Sequence, residues 1–198
     1  MSDSPAPLQV LAFAGSLRRN SYNRHLVEAA AQAAPAGIVV SVYPGIADVP
    51  LFDEDLETET AGGPEGVKRL RAAVAAADGV LIATPEYNQS LPGVLKNTLD
   101  WLSREDAGHR DVLAGKPVAI MGATPGKWGT RLAQAQLRHA LAAMGALTMT
   151  SPQLYVAEAA SVFDAGSVAF DAGTQKRLGR FLEGFQSRMR LVRGEGRA

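Results

Sequence analysis

The 198-residue chain contains no cysteine, which excludes disulfides, thiol chemistry and Cys-ligated metals. Its three histidines, His25, His109 and His139, stand far apart, so no metal site is expected. Net charge is absent too, because twenty Lys and Arg residues balance twenty Asp and Glu. That balance argues against nucleic-acid binding by bulk electrostatics and against the acidic surface of a small electron carrier. No apolar run approaches the length of a membrane span. The start, Met1-Ser2-Asp3-Ser4-Pro5-Ala6-Pro7, has no basic region followed by an apolar core. No signal peptide is therefore expected, and the predicted location is the cytoplasm, away from membranes. Two nucleotide fingerprints are also missing. There is no three-glycine dinucleotide loop, and no Lys-Ser/Thr pair closes a Gly-rich run.

What is present is an alternation of apolar runs and amphipathic periods. Residues 1–7 read as a disordered leader rich in Ser and Pro, and residues 193–198 as a flexible tail. Between them, 8–192 read as one domain, long enough to bury a full core. Leu8 to Ala14 is apolar on both faces apart from Gln9, as in a parallel strand covered by helices on both sides. A helix from Tyr22 carries Leu26, Val27, Ala30 and Ala33, and residues 38–43 form a β-branched second strand. Residues 44–64 look irregular, with a solvated acidic run at Asp53-Glu54-Asp55 that suits a subunit boundary. Val67, Leu70, Val74 and Ala77 mark a helix, residues 80–83 a buried strand, and Leu91, Leu95, Leu99 and Leu102 a further helix. Strands at 117–121 and 146–149 flank a helix bearing Leu132, Leu137, Leu141 and Met144, and a last helix spans Leu178 to Met189. Strands alternating with helices predict a parallel sheet with right-handed crossovers, and five strands fit the order 2-1-3-4-5 of a flavodoxin-like three-layer α/β sandwich.

Three of the predicted strand-to-helix loops are chemically unusual. In this strand order they follow strands 1, 3 and 4 and open at one sheet edge, where open α/β folds bind ligands. The first offers Ser16, Arg18, Ser21 and Asn23 at a helix N-terminus, a setting for phosphate, although Ser21 also serves as a plain N-cap. The second offers Pro85, Glu86, Tyr87 and Asn88, and the third Thr124, Pro125, Gly126 and Gly129 with Trp128 nearby. A phosphate at one end and a planar, hydrogen-bonding ring at the other describe FMN.

The residues that build these loops also carry a resemblance. Gly15-Ser16-Leu17-Arg18 with Ser21 and Asn23 is similar to the first signature of the NAD(P)H-dependent FMN reductase family. Residues 85–97, from Pro85-Glu86-Tyr87-Asn88 to Leu95-Lys96-Asn97, resemble its second, and the likeness extends over about residues 8–155. The resemblance implies a flavodoxin-like fold with non-covalent FMN, and NADPH or NADH as co-substrate. It implies ping-pong transfer to quinones, free flavins, azo compounds or chromate, and a homodimer or homotetramer. By position, Ser16, Arg18, Ser21 and Asn23 would hold the phosphate. Pro85, Glu86, Tyr87 and Asn88 would line the ring on one side, and Thr124, Pro125, Gly126 and Gly129 on the other. Relatives often have Ser at position 124 and an Arg at 132, where this chain has Leu132 and places Arg131 one residue early; that Arg is associated with subunit contacts.

Hydride transfer between nicotinamide and flavin depends on stacking and alignment, so no catalytic acid, base or metal is assigned. Glu86 reads first as a solvated or capping carboxylate and only second as a proton donor. Lys96, Asn97 and Asp100 read as structural, with Lys96 and Asp100 an i,i+4 pair, and Trp101 as core or interface. The alternatives to an oxidoreductase are a flavodoxin-type electron carrier and a non-catalytic FMN- or phosphate-ligand-binding protein.

Overall fold

The computed structural model describes residues 6–104, 111–163 and 170–194. His109, residues 1–5 of the expected leader and residues 195–198 of the expected tail lie outside the described residues.

The apolar run at the start is strand β1 (Leu8–Ala14), followed by helix α1 (Tyr22–Gln32) and strand β2 (Ile38–Val42). Helices α2 (Glu54–Glu59) and α3 (Glu65–Ala76) precede strand β3 (Gly79–Ala83) and helix α4 (Gly93–Leu102). Strand β4 (Pro117–Ala123) and helix α5 (Arg131–Ala143) follow, then the short strands β5 (Leu147–Thr148) and β6 (Leu154–Val156). One turn of helix, α6 (Ala159–Val162), and the long α7 (Ala172–Arg193) complete the chain.

All strand pairs are parallel, in the order β2-β1-β3-β4-β5, as the sequence predicts. Ala14 pairs with Ala83, and Ala83 with Met121, so β1 and β3 end level with each other and β4 runs two residues further at the same edge. The fifth position differs from expectation. It is shared by β5, which pairs with Pro117 and Val118, and β6, which pairs with Met121, Gly122 and Ala123. Residues 149–153 separate the two, so a single β4 holds both along its length.

Strand alternation sorts the core into two layers. Leu8, Val10, Ala12, Leu81, Ala83, Ala119 and Met121 share a layer with residues of α1 and with Phe181 and Phe185 of α7. Leu11, Phe13, Val80, Ile82, Val118 and Ile120 face α3, α4 and α5 on the other side. Both faces of β3 and β4 are buried throughout, which is why they read as unbroken apolar runs.

The acidic run is not a loop. Asp53 caps α2 by accepting a hydrogen bond from the Asp55 N–H, and Glu54, Asp55 and Glu57 form the first turn, where the helix dipole favours negative charge. Glu57 then accepts two hydrogen bonds from Arg104 Nε, at 2.9 and 3.1 Å. The irregular stretch before α2 is anchored by the predicted structural residues. Asn97 accepts from Phe52 N and donates to the Pro50 carbonyl, and fully buried Trp101 donates its indole N–H to that same carbonyl. Lys96 and Asp100 pair at 2.6 Å.

Candidate active site

The first loop starts where Gly15 extends β1, its N–H donating to the Ala83 carbonyl at 2.8 Å. The chain then turns out through half-buried Ser16 and exposed Arg18 and returns at Ser21, the N-cap of α1. Ser21 is 2 % exposed and accepts from the Asn23 N–H, so the plain capping role and a place in the cavity coexist. The Arg18 guanidinium lies over the Tyr22 ring, 5.3 Å from its centroid, a stacked position only Arg among the cations holds well.

Asn23 is buried and doubly tied. Its Nδ2 donates to the Ala123 carbonyl at 2.9 Å, and its Oδ1 accepts from the Ala123 N–H at 2.8 Å. This bidentate clasp fixes the first helix turn against the end of β4. The side chain's orientation thus belongs to the scaffold, and what it offers a ligand comes after that obligation.

The second loop leaves β3 through buried Thr84 and Pro85 and folds back as a tight turn over residues 87–90. Tyr87 and Ser90 exchange backbone hydrogen bonds of 3.0 Å each, and Asn88 and Gln89 between them have φ of 51° and 62°. Two successive left-handed residues define a primed hairpin turn. The third loop packs tightly against this one. A Cβ at Gly122 would lie 2.4 Å from the Thr84 carbonyl oxygen and 2.1 Å from Thr130 Oγ1, so only glycine lets the two strand ends approach so closely.

Glu86 joins the second loop to α5. Its Oε2 accepts from the Leu132 and Ala133 N–H groups at 2.9 and 3.0 Å. The N-cap of α5, Thr130, makes no side-chain cap of its own and has φ of 63°. Glu86 therefore does the work of an N-cap from another part of the chain, with its charge at the positive end of the helix dipole.

The three loops surround one cavity of about 380 Å³, lined by Ser16, Arg18, Ser21, Tyr22, Asn23, Pro85, Glu86, Tyr87, Ala123, Thr124 and Pro125. That volume is in the range of about 300–1,000 Å³ that small-molecule ligands occupy. Nine of the twelve expected positions are on its wall. Asn88, Gly126 and Gly129 are not. Asn88 is exposed at the hairpin tip. Gly126 donates to Thr124 Oγ1 and accepts from Glu158 N. Gly129, at φ 64°, is buried, and a Cβ there would lie 2.9 Å from the Tyr155 Cβ. Two wall residues escape motif reading, Tyr22 and Ala123; Tyr22 is signalled only by its place as the first residue of the predicted helix. Arg131 stacks on the Tyr155 ring at 4.5 Å.

A phosphate-suited helix N-terminus and a slot between two strand-end loops, set at the edge of a 2-1-3-4-5 sheet, define a nucleotide-binding protein of flavodoxin-like fold. Residues 8–161 match the NADPH-dependent FMN reductase family, and the chain belongs to it. It is 37% identical over 194 residues to an NAD(P)H-dependent FMN reductase of Pseudomonas aeruginosa, covering 98% of this chain and all of that one. It is 38% identical over 184 residues to a quinone reductase of Escherichia coli, covering 89% and 96%. Among solved structures it is similar to a flavoenzyme NAD(P)H:(acceptor) oxidoreductase from Paracoccus denitrificans. That match has a TM-score of 0.81 and 34% identity, over 93% of this chain and 98% of the other.

Proposed function

We propose that this chain is an FMN-dependent NAD(P)H oxidoreductase that reduces quinones. The observation that carries the reading is the meeting of three loops, from positions 16–23, 85–87 and 123–125, around one cavity with its phosphate donors grouped on the first loop. The names of the relatives support the same chemistry.

The donor set suits FMN. Ser16 and Ser21 supply hydroxyls, Arg18 a guanidinium, and the first turn of α1 its unpaired N–H groups for a phosphate. Pro85, Tyr87, Thr124 and Pro125 would enclose the ring system, with Asn88, Gly126 and Gly129 shaping the loops that carry them. When bound, FMN supplies a group that accepts and returns a hydride. The chain's own part is to bind, orient and exclude water: Asn23 keeps the first and third loops at a fixed spacing, and Glu86 fixes the second loop to α5. No side chain is assigned a proton.

The test is spectroscopic. The purified protein should show a bound-flavin spectrum that NADPH bleaches without oxygen and benzoquinone restores. A flavin bleached only through a separate reductase would mean an electron carrier, and no flavin uptake at all would refute the reading. Free flavins, azo compounds and chromate belong to the same proposal as further acceptors, to be ranked by kcat/KM.

A homodimer or homotetramer is part of the proposal. Around the second and third loops, Tyr87, Trp128 and Leu132 stand 52%, 71% and 43% exposed, apolar side chains that a second copy would cover. Light scattering on the eluting protein gives the copy number, and a monomer would refute this part.

A further inference from the structure

The strand order leaves a second space on the other flank of the first loop. In β2-β1-β3-β4, the ring-side loops at 85–87 and 123–125 lie on the β3–β4 side of β1. On the β2 side, the segment after β2 borders two further cavities. The smaller, about 90 Å³, is bounded by Ser16, Leu17 and Arg24 and by residues 43–47. The larger, about 420 Å³, is lined by Tyr43, Pro44, Gly45, Ala47, Asp48 and Arg69. Ser16 is a wall of both the main and the small cavity, while Tyr43, Pro44, Gly45 and Ala47 are shared by the small and the large. The three spaces thus adjoin in a row, with the phosphate loop between the ring end and this groove.

The groove's chemistry is distinctive. One arginine stands in each cavity of the row: Arg18, Arg24 and Arg69. Arg24 pairs with Glu28, and Arg69 with Asp48, so these two side chains are held in place by their partners. Tyr43 is half-buried against the core, presenting an aromatic residue in a wall with few polar groups, the setting a purine base favours.

Resting on the flavin reading above, we infer that this groove receives the adenosine monophosphate half of FAD, and that the chain accepts the dinucleotide flavin as well as FMN. A ligand held at the first loop by its phosphate, with its ring toward 85–87, reaches the groove only if it continues beyond that phosphate. FAD does so, and FMN ends there. A nicotinamide dinucleotide is less suited, because its reacting ring has to reach the far side of the same loop.

Isothermal titration of flavin-free protein with FMN and with FAD tests the assignment, in the native chain and in Tyr43→Ala and Ala47→Trp. Ala47 is exposed, so a large side chain there fills the groove without entering the core. FAD is expected to bind the native chain at least as tightly as FMN. Each variant is expected to weaken FAD about tenfold or more, the usual worth of a base stacked on an aromatic ring, with FMN unchanged. Tight FMN binding with FAD more than about tenfold weaker overturns the inference. So does an Ala47→Trp chain that keeps its FAD affinity; if its KM for NADPH rises instead, the groove belongs to the nicotinamide cofactor. If neither flavin binds, it is the flavin reading itself that has failed.

Discussion

Arg18 is the one cation on the wall of the main cavity, and it makes no ion pair among the described residues. Arg18→Ala should therefore weaken FMN by about 1.5–3 kcal/mol, the worth of a hydrogen bond to a charged group. Flavin titration measures it, and unchanged affinity would place the phosphate elsewhere. Asn23 acts differently. Its loss leaves the Ala123 N–H and carbonyl without their partner in a buried setting, so Asn23→Ala should cost about 2–4 kcal/mol of stability in urea unfolding. A drop in flavin affinity without a drop in stability would show that Asn23 serves the ligand and not the scaffold. Both residues were legible in the sequence as members of a polar loop. Which of them stands unpaired, among the described residues, on the cavity wall and which holds a backbone group was not, because Ala123 lies a hundred positions away and no local pattern announces it.

Helix α5 begins without a cap of its own, and the second loop provides one. Glu86→Ala should destabilise the protein by about 1 kcal/mol, the usual cost of a lost N-cap, with Glu86→Gln losing less because the amide oxygen still accepts. Equal stability of all three chains in urea would show the contact to be idle. Helix α7 has a local cap in Asp171, which accepts from the Thr174 N–H at 2.9 Å and the Thr174 hydroxyl at 2.8 Å. The backbone bond first and the hydroxyl second hold its carboxyl below the usual carboxylate range. A depressed carboxylate adds stability above its unfolded value, and that contribution is lost as the pH falls through the folded value. Asp171→Asn should thus be less stable than the native chain at neutral pH, and the gap should close in strong acid. A pH-independent gap would contradict the assigned cause. Long elements such as β1, α1 and β4 were readable because their apolar periods extend over many residues. Helix α2 escaped because six residues are too few for a period, and β6 because three residues acquire their strand character only from the open edge of β4.

The molecule is a sheet with a separate apolar layer on each face, and neither layer is held by a covalent link. Phe13 is fully buried in the layer beneath α3 and α4, so Phe13→Ala should cost about 3–5 kcal/mol. A smaller loss in urea unfolding would mean that the layer collapses to refill the gap. With no net charge and a sequence pI near 6.8, the protein should be least soluble near neutral pH and more soluble on either side, because mutual repulsion vanishes there. Light scattering across pH tests this. By itself the sequence determined the α/β class with its parallel sheet, which fitted the observed strand order, and marked out the three loops that meet at the cavity. Those properties follow from apolar periodicity, turn residues and the handedness of parallel crossovers, all local or general. Only the tertiary structure decided that Glu86 caps α5, that Asn23 clasps Ala123, and that a second groove lies beyond Ser16. Each of these depends on distances between segments far apart in the chain, and packing sets those distances.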